Sequence, residues 1–207
     1  HERAIDGGKR RAGAIAAERT GDRGQVILDD GIGQQPDLDA GVDCFEHTGL
    51  SSAPEYPPDV IAMIRERTAQ MALGPLFWTP AIEGLFSYEY LRDNPEQLDD
   101  PAWREGLPPD IIADIRKSIE HPDRHSYFQL NPIRRPTLAK KFHQLRESGV
   151  VQLIGTDSGI PMKFHSQATW RELDVWVNRL GVDPMMAIRA ATYWPAVAMK
   201  VDRDVGT

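Results

Sequence analysis

Short apolar runs alternate with helical patterns of apolar residues, and this alternation predicts the fold class. The clearest run, residues 150–154, is rich in β-branched residues, as expected of a strand buried on both faces of a parallel sheet. Similar runs at 42–45 and 75–82 predict two earlier strands. Each strand is followed by a helical pattern, so residues 42–201 predict an α/β fold with a parallel sheet.

Four longer helices are indicated by apolar residues three and four positions apart. Thr169 and Glu172 have the spacing of a capping box and place the start of the fourth helix. Residues 83–107 lack this periodicity, and we expect a long loop that acts as an insertion or lid. Shorter helices are predicted from Asp183 to about Ala191 and near the end of the chain. The predicted apolar faces are Val60, Ile61, Ile64 and Met71; Ile111, Ile112, Ile115 and Ile119; Leu138, Phe142 and Leu145; and Trp170, Leu173, Val177 and Leu180.

Residues 1–36 differ in composition from residues 37–207. They hold seven of the seventeen glycines, and acidic and basic residues are scattered among them. The only local patterns are a weak helix at 12–19 and a short strand at 25–28. We therefore expect an irregular, poorly ordered N-terminal segment followed by an α/β domain.

Composition and charge exclude several classes of partner. The 207 residues carry a net charge of −7, which argues against a nucleic-acid surface. No apolar stretch approaches the roughly 20 residues of a membrane span, so no membrane partner is expected. Cys44 is the only cysteine, which excludes an intrachain disulfide and a cysteine-rich zinc finger.

The candidate chemistry lies where predicted strands end. Asp157 lies in the polar turn Gly155-Thr156-Asp157-Ser158-Gly159 after the strand at 150–154, and His47 follows the strand at 42–45. The carboxyl ends of parallel strands commonly carry binding and catalytic side chains. An imidazole and a carboxylate suit zinc or another divalent transition metal. The alternatives are that Asp157 caps its own loop and that His47 is a packed or capping residue.

Other polar residues have similar alternatives. His165 follows Asp157 in the same loop and is either a substrate contact or an exposed loop residue. Strand alternation predicts that Glu46 points away from His47, which favours a buried salt bridge or hydrogen bond for its carboxylate. The remaining internal histidines are expected at surfaces or helix ends: His121, His125 and His143.

Three other catalytic motifs are not supported. The Asp157-Ser158-Gly159 triplet matches aspartic proteases, but their chemistry needs a second such motif, which the sequence lacks. Ser158 is not in a nucleophile elbow. The sequence contains neither a P-loop nor a G-x-G-x-x-G motif, which are glycine-rich motifs that bind phosphate groups.

Residues 38–207 resemble the C-terminal half of an amidohydrolase-superfamily enzyme of the imidazolonepropionase-like and Xaa-Pro-dipeptidase-like kind. The segment 40–48 is similar to the sixth barrel strand of that family, and the segment 153–159 is similar to the eighth. Further matches occur in the helices that follow, at Arg171-Glu172-Leu173, Gly181-Val182-Asp183-Pro184-Met185-Met186-Ala187, Arg189-Ala190-Ala191-Thr192 and Pro195-Ala196.

This resemblance implies a partial (β/α)8 TIM-type barrel and a metal-dependent hydrolase. His47 would be a metal ligand, and Asp157 would ligate the metal and act as base; the implied cofactor is a divalent metal, with zinc as the first candidate. His165 and the 83–107 insertion would lie near a small-molecule substrate. The implied reaction is hydrolysis of a carbon–nitrogen bond in a cyclic amide or dipeptide.

The chain also departs from the family pattern. It has no H-x-H motif, and the bridging lysine and the fifth-strand histidine have no counterpart. We therefore expect a shortened form of such an enzyme. It would supply two protein ligands, whereas a catalytic zinc takes about three, so we expect the isolated chain to have little or no hydrolase activity. The competing hypothesis is a catalytically incompetent, non-enzymatic fragment that self-associates into a homo-oligomer.

Overall fold

A small parallel sheet organises the chain, whose computed structural model describes residues 25–27, 41–47, 53–160 and 162–206. Within these ranges the sheet has four strands in the order β1-β2-β3-β4, and every neighbouring pair is parallel. The α/β class is therefore confirmed. The strands are Gln25–Ile27 (β1), Cys44–Glu46 (β2), Phe77–Thr79 (β3) and Val151–Gln152 (β4).

The helices of the described residues connect and flank these strands. None of them combines the length and the apolar character needed to cross a membrane. Their bounds are Pro58–Ala69 (α1), Gly84–Asp93 (α2), Pro101–Arg104 (α3), Pro109–Glu120 (α4), Ser126–Glu147 (α5), Ala168–Leu180 (α6), Pro184–Ala191 (α7) and Tyr193–Ala198 (α8), with 3-10 helices at Met71–Leu73, Pro95–Asp99 and Pro122–Arg124.

Trp78 of β3 lies at the centre of the main hydrophobic core. It is fully buried and stacks on Phe45 of β2, with ring centroids 6.2 Å apart. The ring centroids of Trp78 and Phe142 of α5 are 5.3 Å apart, and the Phe142 ring also packs edge-on against the Trp176 ring of α6. Aromatic pairs of this kind add to the burial energy. The core thus fixes β2 and β3 against α5 and α6.

The prediction of a loop at 83–107 is wrong, because this insertion is helical. Pro95 and Pro101 divide it into α2, a 3-10 helix and α3, so no single helical period spans it. Leu85 joins the main core, and the other buried apolar residues of the insertion lie in a second cluster that includes residues distant in sequence, which a local pattern does not reveal. The cluster is Tyr88, Leu91, Leu98, Trp103, Phe128, Met162 and Phe164.

Two predicted helix boundaries also need correction. Helix α1 ends at Ala69, and Met71, predicted on its buried face, is 87% exposed in the following 3-10 helix. Helix α5 was predicted from Thr137, yet it begins eleven residues earlier and contains Pro132 and Pro136. Phe128 in its first turns stacks on Tyr88, with centroids 4.8 Å apart. Tertiary packing of this kind outweighs the local cost of a proline in a helix.

The capping box at Thr169 and Glu172 is likewise wrong. The residue that precedes α6 is Gln167, and no side chain caps the helix start. Glu172 is instead buried and accepts backbone hydrogen bonds from residues 82 and 83. Trp170, predicted on the buried face of α6, is 47% exposed.

Of the predictions for residues 1–40, the described residues test only the short strand. The strand expected at 25–28 corresponds to β1, which pairs with β2. The weak helix at 12–19 and the helix end expected at 38–40 lie outside the described residues. The boundary between residues 36 and 37 stays a prediction.

Candidate functional site at the carboxyl edge of the sheet

Three strands in succession are followed by a non-glycine residue with a left-handed backbone. His47 follows β2 with φ 63°, Ala81 follows β3 with φ 47°, and Asp157 follows β4 with φ 50°. This conformation is uncommon for residues other than glycine, and such strained positions cluster at functional sites. The carboxyl edge of the sheet is therefore the candidate functional site.

His47 is held by its backbone between two residues of β3. Its N–H donates to the carbonyl oxygen of Thr79 at 2.8 Å, and its own carbonyl accepts from the indole Nε1 of Trp78 at 2.7 Å. The central tryptophan of the core thus fixes the start of the loop after β2. The imidazole is left partly exposed at the sheet edge.

Glu46 lies beside His47, contrary to the prediction from strand alternation. Its Oε2 is 4.0 Å from His47 Nε2. Alternation holds only while the backbone stays extended, and the left-handed conformation of His47 ends it. A carboxylate and an imidazole therefore lie together at the end of β2.

Asp157 reaches the same edge from β4 through a tightly packed loop. Leu153 donates to the carbonyl of Trp78, and Ile154 donates to the carbonyl of Ala190, both at 2.8 Å. Asp157 itself is exposed, and the described residues donate no hydrogen bond to its carboxylate. The alternative that it caps its own loop is therefore not supported by any contact in this part of the chain.

The charges of the two strand ends influence each other. Burial raises the pKa of the Glu46 carboxyl, His47 opposes that shift, and the negative charge of Asp157 adds to it. Since β2 and β4 both pair in parallel with β3, the residues that follow these two strands lie at the same edge of the sheet, on either side of β3.

His165 lies over the same loop. A Cβ placed on Gly159 would be 3.8 Å from His165 Nε2, and the histidine is exposed. The structure thus brings His165 to the loop that carries Asp157, while its role in substrate binding stays a prediction. His121 and His125 lie at helix ends, as the sequence predicted. His143 instead lies within α5, where it is half-buried and its Nε2 is hydrogen-bonded to the carbonyl oxygen of Leu180, so the prediction of a surface or helix-end position is wrong for this residue.

The side chains at this edge are of the types that bind a divalent metal, but they are too few to form a complete metal site. An imidazole and a carboxylate are ligands that zinc takes, and a catalytic zinc site uses about three protein ligands. Among the described residues, no three His, Cys, Asp or Glu side chains come together as a metal-binding group. His47 and Asp157 therefore do not complete a metal site within this part of the chain.

Sequence reasoning missed four charged residues beneath the Asp157 loop. They are buried and form ion pairs, and the only sequence signal was their position among apolar residues, as in Met162-Lys163-Phe164. They are Glu83, Lys163, Arg171 and Glu172, called here the buried charge cluster.

Cys44 in β2 offers a test of how this edge is packed. Burial raises the pKa of its thiol from 9.0 to about 11; the Thr79 hydroxyl opposes the shift, and the charges of Glu46 and Asp43 add to it. Because the thiolate is the reactive form, alkylation by iodoacetamide at pH 8 should be about 100-fold slower in the folded protein than in denaturant. The folded rate should rise with pH up to about 11. Equal rates in both states would contradict the described packing of β2.

Comparisons with known proteins give limited matches. No protein-family model and no curated protein matches the chain. It is similar to a solved structure of an uncharacterized protein, with 17% identity and a TM-score of 0.49, over 88% of this chain and 34% of that one. It is also similar to a solved structure titled as an amidohydrolase, with 16% identity and a TM-score of 0.48, over the same shares. The chain spans about a third of the length of either protein.

Proposed function

We propose that this chain contributes part of the active site of a hydrolase that cleaves carbon–nitrogen bonds in a small cyclic amide or dipeptide. The observation that carries the proposal is the set of left-handed residues after β2, β3 and β4, with His47 and Asp157 at two of the three positions. The resemblance of segments 40–48 and 153–159 to two barrel strands of the amidohydrolase superfamily supports the same assignment. In this proposal the parallel sheet is part of a (β/α)8 barrel.

Asp157 is the proposed proton carrier. Its carboxylate is exposed and receives no hydrogen bond from the described residues, so it is free to approach a water molecule. In the proposed reaction it takes a proton from the attacking water and returns it to the leaving nitrogen, which is general acid–base catalysis by one group. His165, on the same loop, would contact the substrate.

His47 and Asp157 are the proposed protein ligands of a divalent ion, with zinc as the first candidate. When bound, such an ion supplies a water of lowered pKa. A further ligand would have to come from outside the two residues named, either from elsewhere in the protein or from a second copy in a homo-oligomer.

The competing proposal is a non-enzymatic role for a catalytically incompetent chain. It is favoured by one observation, namely that the described residues assemble no group of three metal ligands. A screen of Xaa-Pro dipeptides and cyclic amides, with zinc added to chelator-treated protein, separates the two. Turnover that depends on Asp157 supports the hydrolase, and no turnover of any substrate supports the non-enzymatic chain.

A further inference from the structure

The buried charge cluster joins three segments of the chain beneath the Asp157 loop. Glu172 of α6 is 0% exposed, and its Oε2 lies 3.9 Å from Nζ of Lys163, which is 3% exposed. Next to it, Nε of Arg171 donates to Oε1 of Glu83 at 2.7 Å. Burying charges is costly unless they are paired, so the loss of one partner would leave the other as an uncompensated buried charge.

Glu172 holds the turn between β3 and α2. Its carboxylate accepts the backbone N–H groups of Ile82 at 2.9 Å and of Glu83 at 2.7 Å, and the Trp176 indole donates to it at 3.0 Å. The two backbone donors lie just before the first turn of α2, where a negative charge is favourable. Glu172 therefore holds the turn that leads into that helix.

Lys163 connects this turn to the loop that carries Asp157. Its Nζ lies 3.5 Å from the carbonyl oxygen of Ala81, while its backbone carbonyl accepts the N–H of Gly159 at 3.3 Å. Gly159 is two residues from Asp157. One residue thus contacts both Glu172 through its side chain and the Asp157 loop through its backbone.

Two strained residues flank these contacts. Ala81 has φ 47°, and Met162, next to Lys163, has φ 65°. Left-handed backbones at such residues persist only where the surrounding structure enforces them. The cluster supplies that constraint on both sides of the junction.

We propose that Lys163 and Glu172 are positioning residues that fix the Asp157 loop against the turn between β3 and α2. The proposal rests on the proposed function for the role of Asp157, but not for the contacts themselves. Removing the pair should release the loop while the core around Trp78 stays closed.

The test measures amide hydrogen exchange by NMR in the full chain. It compares the exchange rates of the Lys163→Met and Glu172→Gln variants with those of the wild type. The reporter is the N–H of Gly159, and the internal reference is the N–H of Leu153, which bonds to Trp78 in the core. Exchange at Gly159 should accelerate at least about tenfold relative to Leu153, because the opening is local. Lys140→Met is the matched control, since Lys140 pairs with Glu55 at the surface, and it should leave both rates unchanged.

Several results would overturn the proposal. The first is an unchanged exchange rate of the Gly159 N–H in both variants, and the second is a faster exchange at Gly159 that is matched by an equal increase at Leu153. The third is failure of both variants to fold, which would make the pair a general requirement for folding. If the wild type hydrolyses a substrate, Lys163→Met should lower kcat with little change in KM. If the wild type hydrolyses nothing, the proposed function fails, and the exchange rates still decide the positioning role.

Discussion

Replacing Gly155 by alanine is expected to destabilise the protein by about 1–3 kcal/mol, the range for overpacking a tight site. A Cβ at this position would lie 2.1 Å from Cγ2 of Thr79 at the end of β3. That distance is far inside van der Waals contact, so either the loop or the strand must move. Chemical denaturation measures the change as a lower midpoint at an unchanged slope.

The same clash provides its own control. Thr79→Ser removes the Cγ2 methyl, and the next atom, Cβ of Thr79, would be 3.6 Å from the new methyl group. The double variant Gly155→Ala with Thr79→Ser should therefore recover most of the stability lost in Gly155→Ala. Equal stabilities of Gly155→Ala with and without Thr79→Ser would refute the described packing of the loop on β3.

Once zinc and the ligand missing from the described residues are supplied, replacing Asp157 by asparagine is expected to lower kcat by about 10²- to 10⁴-fold, the usual contribution of a general acid–base residue. Asparagine keeps the size of the side chain and tolerates a left-handed backbone, so the loop should keep its conformation. Because Asp157 is exposed and receives no hydrogen bond from the described residues, the free energy of unfolding should stay within about 0.5 kcal/mol of wild type.

The measurement is steady-state hydrolysis of the best dipeptide or amide from the substrate screen. The matched control is Asp110→Asn, which removes an exposed carboxylate from α4 and should leave kcat unchanged. A kcat for Asp157→Asn close to the wild-type value would remove Asp157 from the reaction.

The strands of the sheet could be predicted because their signal is local. The apolar runs at 75–82 and 150–154 each contain an observed strand, and the run at 42–45 overlaps β2, which extends to Glu46. Each observed strand is only two or three residues long. The positions of His47 and Asp157 at one edge followed from parallel pairing. Their left-handed backbones had no sequence signal, and for that reason the contact between Glu46 and His47 was missed.

The insertion and the buried charge cluster could not be predicted because their partners are distant in sequence. The apolar residues of 83–107 pack with Phe128, Met162 and Phe164, so their spacing shows no single period. Glu172 had the spacing of a local cap at Thr169, but the backbone hydrogen bond that it accepts from Ile82 comes from a turn 90 residues away. A local motif cannot decide between a near and a distant partner of equal chemistry.

The central claim is that His47 and Asp157 form one ligand-binding edge, and zinc stoichiometry tests it most directly. The protein is stripped with a chelator, refilled and assayed alongside His47→Ala and Asp157→Ala, with His121→Ala as a control at an exposed helix end. With the further ligand supplied from elsewhere in the protein or by a second copy, the account predicts close to one zinc per chain in the wild type and the control, and its loss in both test variants. No zinc in the wild type, or zinc that both test variants retain, would contradict it.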